Sequence, residues 1–321
     1  MEFPILLRKQ IEDLYDGVKQ TELAQNSRQL SQNYRENKGD GVRLLQTQRE
    51  ALAYAAVRMP ATFGAVSAAF EKVLEVYPFS PLTMLDVGAG TGACGWVAES
   101  FFELENLVCL EREKVMFSLG KQFMENSDRT VLRQAQWQNF DLLQSEALPH
   151  ADLVTASYML NELPVQDREK AILKLWQSAK QVLLIVEPGT PKAFASLREL
   201  RDILLRAGAN VVAPCPHHDK CPLERENWCH FSTRIARSRL HKQLKSAEMG
   251  YEDEKFCYMA FSRQPIALSY ERILRDPKVT KAEIACEVCR ANAQKETIKI
   301  SVRDKNMYKK AKKLGWGDIL T

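Results

Sequence analysis

The chain has 321 residues and a formal net charge of +4. This length allows one large domain with additions, or two domains, with a substantial core in either case. The net charge is too small to indicate a polyanionic partner for the chain as a whole, and no apolar run reaches the length needed to span a membrane.

The chain contains eight cysteines, which raises the question of disulfides. Its first residues, MEFPILLRKQIEDLYDG, lack the apolar core of a signal peptide and contain acids that transit peptides avoid. We therefore expect a cytosolic protein in a reducing compartment. In such a compartment, clustered cysteines bind metal or do chemistry more often than they form disulfides.

Helices are predicted for the first 78 residues, because apolar residues recur there at steps of three and four. Leu6, Ile11 and Leu14 have nearly this spacing at the start of the chain. The alanine-rich stretch QREALAYAAVRMPATFGAVSAAFEKVLEVY shows it again, and Pro60 is expected to interrupt the helix there.

From Pro81 onward, short apolar runs alternate with helix-like segments. The runs are TMLDVG, NLVCLE, ADLVTASYML, QVLLIVEP and NVVAP, and KFCYMAFS at 255–262 adds a further strand. This alternation predicts an α/β fold with a mostly parallel sheet covered by helices. Two later runs, AEIACEV and TIKISV, predict short strands near the end of the chain.

Residues 85–98, LDVGAGTGACGWVA, place a strand, a glycine-rich turn and the start of a helix in succession. Glycine at 88, 90 and 92 allows a ligand to approach the backbone closely. Glu111 ends the next predicted strand, where an acidic side chain accepts hydrogen bonds from ribose hydroxyls in dinucleotide folds. The pattern indicates a nucleotide site.

Two nucleotide ligands compete for this site. A dinucleotide requires G-x-G-x-x-G, whereas D-V-G-A-G-T-G resembles the first motif of class I S-adenosylmethionine-dependent methyltransferases, with Asp86 before Gly88, Gly90 and Gly92. We favour the methyl donor and a Rossmann-like fold of that class. The resemblance implies that Glu111 holds the ribose and that Asp141, in WQNFDLL, contacts the adenine.

The fourth predicted strand leaves methyl transfer open. DLVTASYMLNELP lacks the Asn/Asp-Pro-Pro-aromatic signature of methyltransferases that act on amino groups of nucleic acids. Cys215 follows proline, like the nucleophile of carbon-5 cytosine methyltransferases, but it comes after the sixth strand instead of the fourth. Asn161 and Glu162 either face a substrate or cap the next helix, and we favour the structural role. No catalytic residue is assigned.

The segment 213–231, APCPHHDKCPLERENWCHF, is a polar, proline-rich loop that offers cysteine little apolar burial. Its three cysteines are therefore predicted to bind metal: Cys215, Cys221 and Cys229. A fourth ligand is expected from the tail, either Cys286 or Cys289. The other cysteines lie in apolar runs and are assigned to the core: Cys94, Cys109 and Cys257.

Thiolates suit zinc or an iron–sulfur cluster, and spacing does not separate these two. A 4Fe-4S cluster is ordinarily held by four thiolates. Zinc would also accept a histidine of the loop: His217, His218 or His230.

Two segments are basic. Residues 295–313 carry eight Lys or Arg against two acids, which fits either phosphate contacts or a solvated helix. After Cys229, STRIARSRLHKQLK is interpreted as one helix with Ile235, Leu240 and Leu244 toward the core. Its basic residues would face away from the core: Arg234, Arg237, Arg239, Lys242 and Lys245.

Several motifs together resemble those of the methyltransferase-like assembly factors of the small ribosomal subunit, known from mitochondria and with bacterial relatives. They are APCPHHDKCP, WCHFSTRIARSRLHKQLK, YEDEKF and YKKAKKLGWGD, with LSQNYREN, RMPATFGAV, LDVGAGTGA and SYMLNEL earlier. The likeness runs over nearly the whole chain. It implies a methyltransferase fold with a four-cysteine 4Fe-4S cluster that acts on the small subunit and its rRNA.

Carried over to this chain, the family pattern places three clustered ligands at Cys215, Cys221 and Cys229. The fourth is Cys289, which stands directly before a turn, although that turn reads RANA and lacks the glycine of relatives. Cys257 stands where a serine is expected and is left out of the site.

The sequence pattern and the resemblance together predict three parts. They are an N-terminal helical region (1–78), a methyltransferase-like domain (79–263) with a cysteine-rich insert (213–247), and a basic C-terminal region (264–321) that supplies one metal ligand. The expected function is small-subunit assembly through rRNA binding, by a chain assumed to be a monomer and without a membrane partner. The alternatives are an active S-adenosylmethionine-dependent rRNA methyltransferase and, less favoured, a small-molecule methyltransferase.

Overall fold

A computed structural model describes residues 1–15, 45, 47–145, 147–223, 227–245 and 247–320. The LSQNYREN motif lies outside these residues. Within the ranges described, no helix combines the length and apolarity needed to cross a bilayer.

Three helices precede the first strand in the described part of the chain: α1 (Ile5–Asp13), α2 (Gln48–Val57) and α3 (Met59–Leu74). The side chain of Thr47 and that of Glu50 form a capping box that starts α2. The expected interruption near Pro60 is present, because α2 ends at Val57 and Pro60 lies in the first turn of α3. The missing N–H of proline costs no hydrogen bond at that position.

The large sheet contains eight strands: β1 (Thr83–Val87), β2 (Asn106–Glu111), β3 (Gln136–Asn139), β4 (Ala151–Ser157), β5 (Ala179–Pro188), β6 (Asn210–Ala213), β7 (Phe231–Ala236) and β8 (Tyr251–Ser262). Their order is β3-β2-β1-β4-β5-β8-β6, with β7 also paired to β8. The first five are parallel, and β8 runs antiparallel to β5, β6 and β7.

This order reverses direction between β1 and β4, as in Rossmann-like sheets, and inserts one antiparallel strand before β6. It is the class I methyltransferase fold, so the predicted fold class is confirmed. The six apolar runs proposed as sheet strands all form strands at their expected places.

Helices cover both faces of the large sheet. The helices after β1 are α4 (Ala93–Phe101), α5 (Lys114–Glu125), α6 (Thr130–Arg133), α7 (Val165–Ser178) and α8 (Pro191–Arg206), with a 3-10 turn at Leu160–Glu162. Side chains alternate along a strand, so Met84 packs with α3 and α4 while Leu85 packs with α7 and α8.

The prediction of a single helix after Cys229 is wrong. The chain forms β7 and then a short helix, α9 (Arg239–Lys245). In β7, Phe231 and Ile235 are buried whereas Arg234 is exposed, which is the two-residue alternation of a strand. Pairing of β7 with β8 over six residues satisfies its backbone.

The tail forms a small antiparallel sheet from five strands: β9 (Glu271–Ile273), β10 (Lys278–Val279), β11 (Glu283–Cys289), β12 (Lys295–Ser301) and β13 (Ile319–Leu320). A short helix, α10 (Lys305–Ala311), packs on it. Both strands expected in the tail are present, as β11 and β12. The boundaries proposed after residues 78 and 263 remain predictions.

Candidate functional site

The glycine-rich turn follows β1 at the carboxyl end of the parallel strands. The φ angles of Gly88, Gly90 and Gly92 are 71°, 58° and 87°, a region that strains residues with a side chain. The backbone N–H of Gly88 donates to the carbonyl of Leu110 at 2.9 Å. The N–H of Gly90 donates to Oε2 of Glu111 at 2.7 Å, so the turn is held against the end of β2.

Glu111 holds this turn with both carboxylate oxygens. Its Oε1 accepts from the backbone N–H of Glu113 at 2.7 Å, while Oε2 accepts from Gly90. Burial raises the pKa of Glu111, and the two backbone donors oppose that rise. Because a carboxylate offers about four acceptor positions, Glu111 retains capacity for hydroxyl groups of a ligand.

Asp86 lies in β1 and Asp141 follows β3, the two strands that flank β2. Asp86 is fully buried in β1, where Oδ1 accepts from Oγ1 of Thr155 at 2.7 Å and so ties β1 to β4. Burial raises the pKa of Asp86 to about 7, against hydrogen bonds from Thr155 and Cys94. Asp141 follows β3, and its Oδ1 accepts from the N–H of Leu143 at 3.0 Å. The three proposed acids thus lie in or shortly after three adjacent strands: Asp86 in β1, Glu111 at the end of β2 and Asp141 after β3.

Asn161 does not cap the next helix. Helix α7 begins at Val165 with Pro164 at its N-cap, and the capping role expected for Asn161 or Glu162 is therefore wrong. The side-chain nitrogen of Asn161 instead donates to Oε2 of Glu187 at 2.6 Å. Oε1 of Glu187 accepts the backbone N–H of Leu160 at 2.9 Å.

Glu187 is a site residue that the sequence analysis missed. Its signal was an acidic residue at the end of the buried run QVLLIVEP. Burial raises the pKa of Glu187 to about 7, with Asn161 and Leu160 opposing through hydrogen bonds. Burial also raises the pKa of Glu162 to about 8, helped by the negative charges of Glu111 and Glu187. The pKa values of both carboxyls are therefore raised into the neutral range.

A second candidate site, here called the cysteine pocket, lies between the insert, α8 and the small sheet. The four proposed ligands all line it: Cys215, Cys221, Cys229 and Cys289. Cys286 instead packs in the core of the small sheet, with Ile284 and Val288.

Cys257 is buried as expected, but it also lines the cysteine pocket. Its thiol donates to the backbone carbonyl of Cys229 at 3.2 Å. The core role expected for Cys94 and Cys109 agrees with their burial. Across the described ranges, no three or more His, Cys, Asp or Glu side chains stand in positions that would hold a metal ion.

Among the insert histidines, His217 lines the cysteine pocket, whereas His218 is exposed and His230 packs between Trp228 and Trp316. Nδ1 of His217 lies 3.1 Å from the carbonyl oxygen of Asp219. A carbonyl can only accept, so Nδ1 carries the proton and the lone pair of Nε2 is directed at Sγ of Cys289, 3.4 Å away.

The pocket favours neutral thiols when no metal is bound. Burial raises the pKa of Cys215 and of Cys289, although the guanidiniums of Arg201 and Arg272 act in the opposite direction. A metal that binds thiolates would therefore have to displace protons from these side chains.

The small sheet also contacts the insert directly. The hydroxyl of Tyr270 lies 2.9 Å from the carbonyl oxygen of Val212 and 3.0 Å from that of Cys215. Nε of Arg272 donates to the carbonyl of Pro214 at 3.1 Å. The tail is thus attached to the loop that carries the first cysteine by bonds that need no metal.

The strand order and the glycine turn define this protein as one with the class I methyltransferase fold, to which a cysteine-rich insert and a small tail sheet are added. The chain belongs to the family described as "Mitochondrial small ribosomal subunit Rsm22", whose model matches residues 48–321. The family resemblance of the motifs is thereby confirmed.

Two relatives illustrate the match. The human protein "Ribosome assembly protein METTL17, mitochondrial" is 27% identical over 298 residues, covering 85% of this chain and 63% of that protein. The Schizosaccharomyces pombe "Rsm22-cox11 tandem protein 2, mitochondrial" is 21% identical over 288 residues, covering 74% of this chain and 38% of that protein. The chain spans less than two thirds of the length of these curated relatives.

Solved structures are similar only distantly. Magnesium protoporphyrin IX methyltransferase from Synechocystis, with bound S-adenosylmethionine, is 13% identical and covers 82% of this chain and 100% of its own, with a TM-score of 0.42. A putative RNA methyltransferase from Pyrococcus horikoshii is 15% identical and covers 61% and 81%, with a TM-score of 0.39. The fold assignment rests on strand order, and these similarities add nothing to it.

The predicted cytosolic location is contradicted, because the family and these relatives are described as mitochondrial. Free thiols indicate a reducing compartment without saying which one. Cysteine content therefore does not distinguish the cytosol from another reducing compartment.

Proposed function

We propose that the chain is an assembly factor for the mitochondrial small ribosomal subunit that uses a methyltransferase fold to bind rRNA. The observation that carries this proposal is family membership over residues 48–321. The name of the human relative, a ribosome assembly protein, supports the role in assembly.

S-adenosylmethionine is the proposed ligand of the glycine turn. Gly88, Gly90 and Gly92 would present their backbone to it, Glu111 would accept the ribose hydroxyls and Asp141 would contact the adenine. Support comes from the space above Gly90, where an added Cβ would meet only Cε of Met116, at 3.4 Å. Asp86 would support the turn from beneath, since it is fully buried.

A metal centre is the proposed occupant of the cysteine pocket, a 4Fe-4S cluster with zinc as the alternative. The donor set fits, because four thiols line one cavity and soft metals prefer such ligands. Nε2 of His217 adds a donor that suits zinc. The thiols would turn toward a common centre on binding. When bound, the metal would cross-link the insert to Cys289 in the tail, so its role would be architectural.

The rRNA contact is proposed for α10 and the residues beside it. Six cations there are exposed: Arg303, Lys305, Lys309, Lys310, Lys312 and Lys313. The insert is a weaker candidate than its sequence indicated. Arg234 pairs with Asp253, and both Arg237 and Lys245 pair with Glu252. These acids neutralise part of the predicted basic face.

Binding to immature small-subunit particles tests the proposal. Protein purified without oxygen should co-sediment with mitochondrial pre-small-subunit particles, and the binding should weaken as salt rises. It should also contain about four irons per chain if the centre is a 4Fe-4S cluster. Failure to bind either immature or mature small subunits would overturn the assembly role, and stoichiometric zinc without iron would replace the cluster by the zinc alternative.

Active methylation of rRNA is a second candidate function. The observation that favours it is the glycine turn, where the N–H of Gly90 donates to Glu111 and the space beside Gly90 could admit a donor. Transfer of tritiated methyl groups from S-adenosylmethionine to RNA in immature particles would establish it. Donor binding without transfer would leave the donor as a structural ligand.

A further inference from the structure

Two arginines line the cysteine pocket together with the four proposed ligands: Arg201 on α8 and Arg272 on β9. Their side chains are 0% and 1% exposed, which makes them the two largest fully buried side chains in the described part of the chain. A buried cation is costly unless it meets a counter-charge.

Arg272 has backbone partners and no ion pair in the described part of the chain, and Glu75 acts on its guanidinium only from beyond ion-pairing distance. Nε and Nη1 donate to the carbonyls of Pro214 and Gly317, at 3.1 and 2.8 Å, and the guanidinium lies 4.8 Å from the ring of Tyr270. Nη2 is buried without a hydrogen-bond partner. Among the residues that the structure describes, no carboxylate lies within ion-pairing distance of Arg272.

Arg201 is only partly neutralised. Nη2 donates to the carbonyls of His217 and Asp219, at 3.0 and 2.8 Å, which holds the cysteine loop against α8. Nη1 pairs with Asp202 at 3.1 Å, but the side chain of Asp202 is 47% exposed, so water screens much of its charge. Nε is buried and makes no hydrogen bond to a described residue.

Both guanidiniums line the same pocket as the thiols of Cys215 and Cys289. One thiol belongs to the insert and the other to β11. The arginines likewise come from the two sides, one from α8 beside the large sheet and one from the small sheet. Positive charge is therefore concentrated where the two sheets meet.

We infer that Arg201 and Arg272 are the built-in counter-charges of a metal–tetrathiolate centre in the cysteine pocket. Four thiolates around zinc, or around a 4Fe-4S cluster in its doubly positive state, leave two negative charges. Two guanidiniums balance them. Metal binding thus makes two buried, poorly compensated cations part of a neutral assembly. This assembly would hold the small sheet in place. The inference rests on the proposed metal centre and adds the residues that stabilise its charge.

Substitution of arginine by methionine removes the charge and keeps most of the side-chain length. Because residues around the ligands typically change metal affinity by about 10- to 100-fold, Arg272→Met and Arg201→Met should release metal to a chelator at least about tenfold faster than wild type. Arg272→Lys keeps the charge and should retain most of the metal. If the metal is iron, each methionine variant should also shift the reduction midpoint potential to more negative values, since less positive charge faces the reduced cluster.

Thermal unfolding of loaded and metal-free protein separates a charge role from a structural one. Arg272→Met removes the hydrogen bonds to the carbonyls of Pro214 and Gly317 in both states, so both melting temperatures should fall. That of the loaded protein should fall further, because only there is a counter-charge also lost. Arg168→Met is the matched control. Arg168 is 6% exposed and donates to the carbonyls of Leu163 and Asn161, away from the cysteine pocket. It should change both melting temperatures alike.

Wild-type protein that holds neither iron nor zinc would overturn the metal centre, and this inference with it. A wild type that holds metal, together with methionine variants that retain it and release it at the wild-type rate, would overturn the counter-charge role alone. If Arg272→Met does not fold in either state, Arg272→Lys decides. Metal retention by the lysine variant supports the charge, and loss of metal despite a folded chain contradicts it.

Discussion

Cys286 and Cys289 lie on opposite faces of the same strand, β11. Cys286 is fully buried against Ile284 and Val288 in the core of the small sheet. Cys289 faces the cysteine pocket, with its sulfur 3.4 Å from Nε2 of His217. Residues three apart in a strand must point to opposite sides, so only one of the two tail cysteines can serve the pocket.

The two cysteines therefore form a matched pair for mutation. Cys289→Ser should lower metal content and expose the tail to proteolysis, whereas Cys286→Ser should keep the metal. The second change should destabilise the fold by about 1–3 kcal/mol, because it places a hydroxyl in an apolar core. Metal analysis and limited proteolysis of both variants check this. Metal content at the wild-type level in both variants would exclude Cys289 as a ligand.

Much of the fold was predictable because the buried strands are continuous apolar runs. Strand β7 was not, and its spacing explains why. Phe231 and Ile235 are four residues apart, a distance that fits both the two-residue period of a strand and the 3.6-residue period of a helix. Because the next segment forms a helix, α9, one continuous helix also fits the sequence pattern. Pairing with β8 makes this segment a strand, and the local sequence does not show that pairing.

In the candidate sites, too, the sequence predicts residues within a local motif but not residues that meet only in the folded chain. Gly88, Gly90 and Glu111 follow from a contiguous motif and its spacing. Glu187 does not, because its partner Asn161 is 26 residues away and the two meet only where β4 and β5 end side by side. The position of Arg272 in the cysteine pocket is likewise a product of tertiary packing, since a lone arginine in a short strand carries no local signal.

Gly90 provides a test of donor binding. Gly90→Ala puts a methyl group at the surface where the donor would approach, so the affinity for S-adenosylmethionine measured by calorimetry should fall about tenfold or more, for a loss of 1.4 kcal/mol or greater. Gly208→Ala is the control, because Gly208 also has a positive φ, 82°, and lies away from the turn. Each variant should lose about 1–2 kcal/mol of stability from backbone strain. No heat signal with wild type would mean that the turn does not bind the donor.

The exposed lysines of α10 provide a test of the rRNA surface. Lys309→Ala combined with Lys310→Ala should weaken binding to small-subunit rRNA and reduce the salt dependence of log K by about 0.7 for each phosphate that the protein no longer neutralises. Lys295 and Lys299 are suitable controls, because they pair with Glu287 and Glu283 on the neighbouring strand. Alanine at these two positions should leave the slope unchanged. An equal effect of both pairs would assign the binding to general charge.

Stability should fall as pH rises toward 8, because the folded state holds protons that the unfolded chain has released. The folded pKa is about 7 for Glu187 and about 8 for Glu162, above the ordinary value of 4.5, mainly through burial. Their contribution is fully present below pH 4.5 and is lost as pH rises through these values. Glu162→Gln should therefore reduce the loss of unfolding free energy between pH 5.5 and 8.5 by about 1–2 kcal/mol. Asp152→Asn is the control, because three hydrogen bonds from Leu82 and Thr83 help to lower the pKa of Asp152 and keep it ionised throughout this range. Denaturant titrations across the pH range measure the effect, and an unchanged slope in Glu162→Gln would show that this carboxyl ionises in the folded state as it does in the unfolded chain.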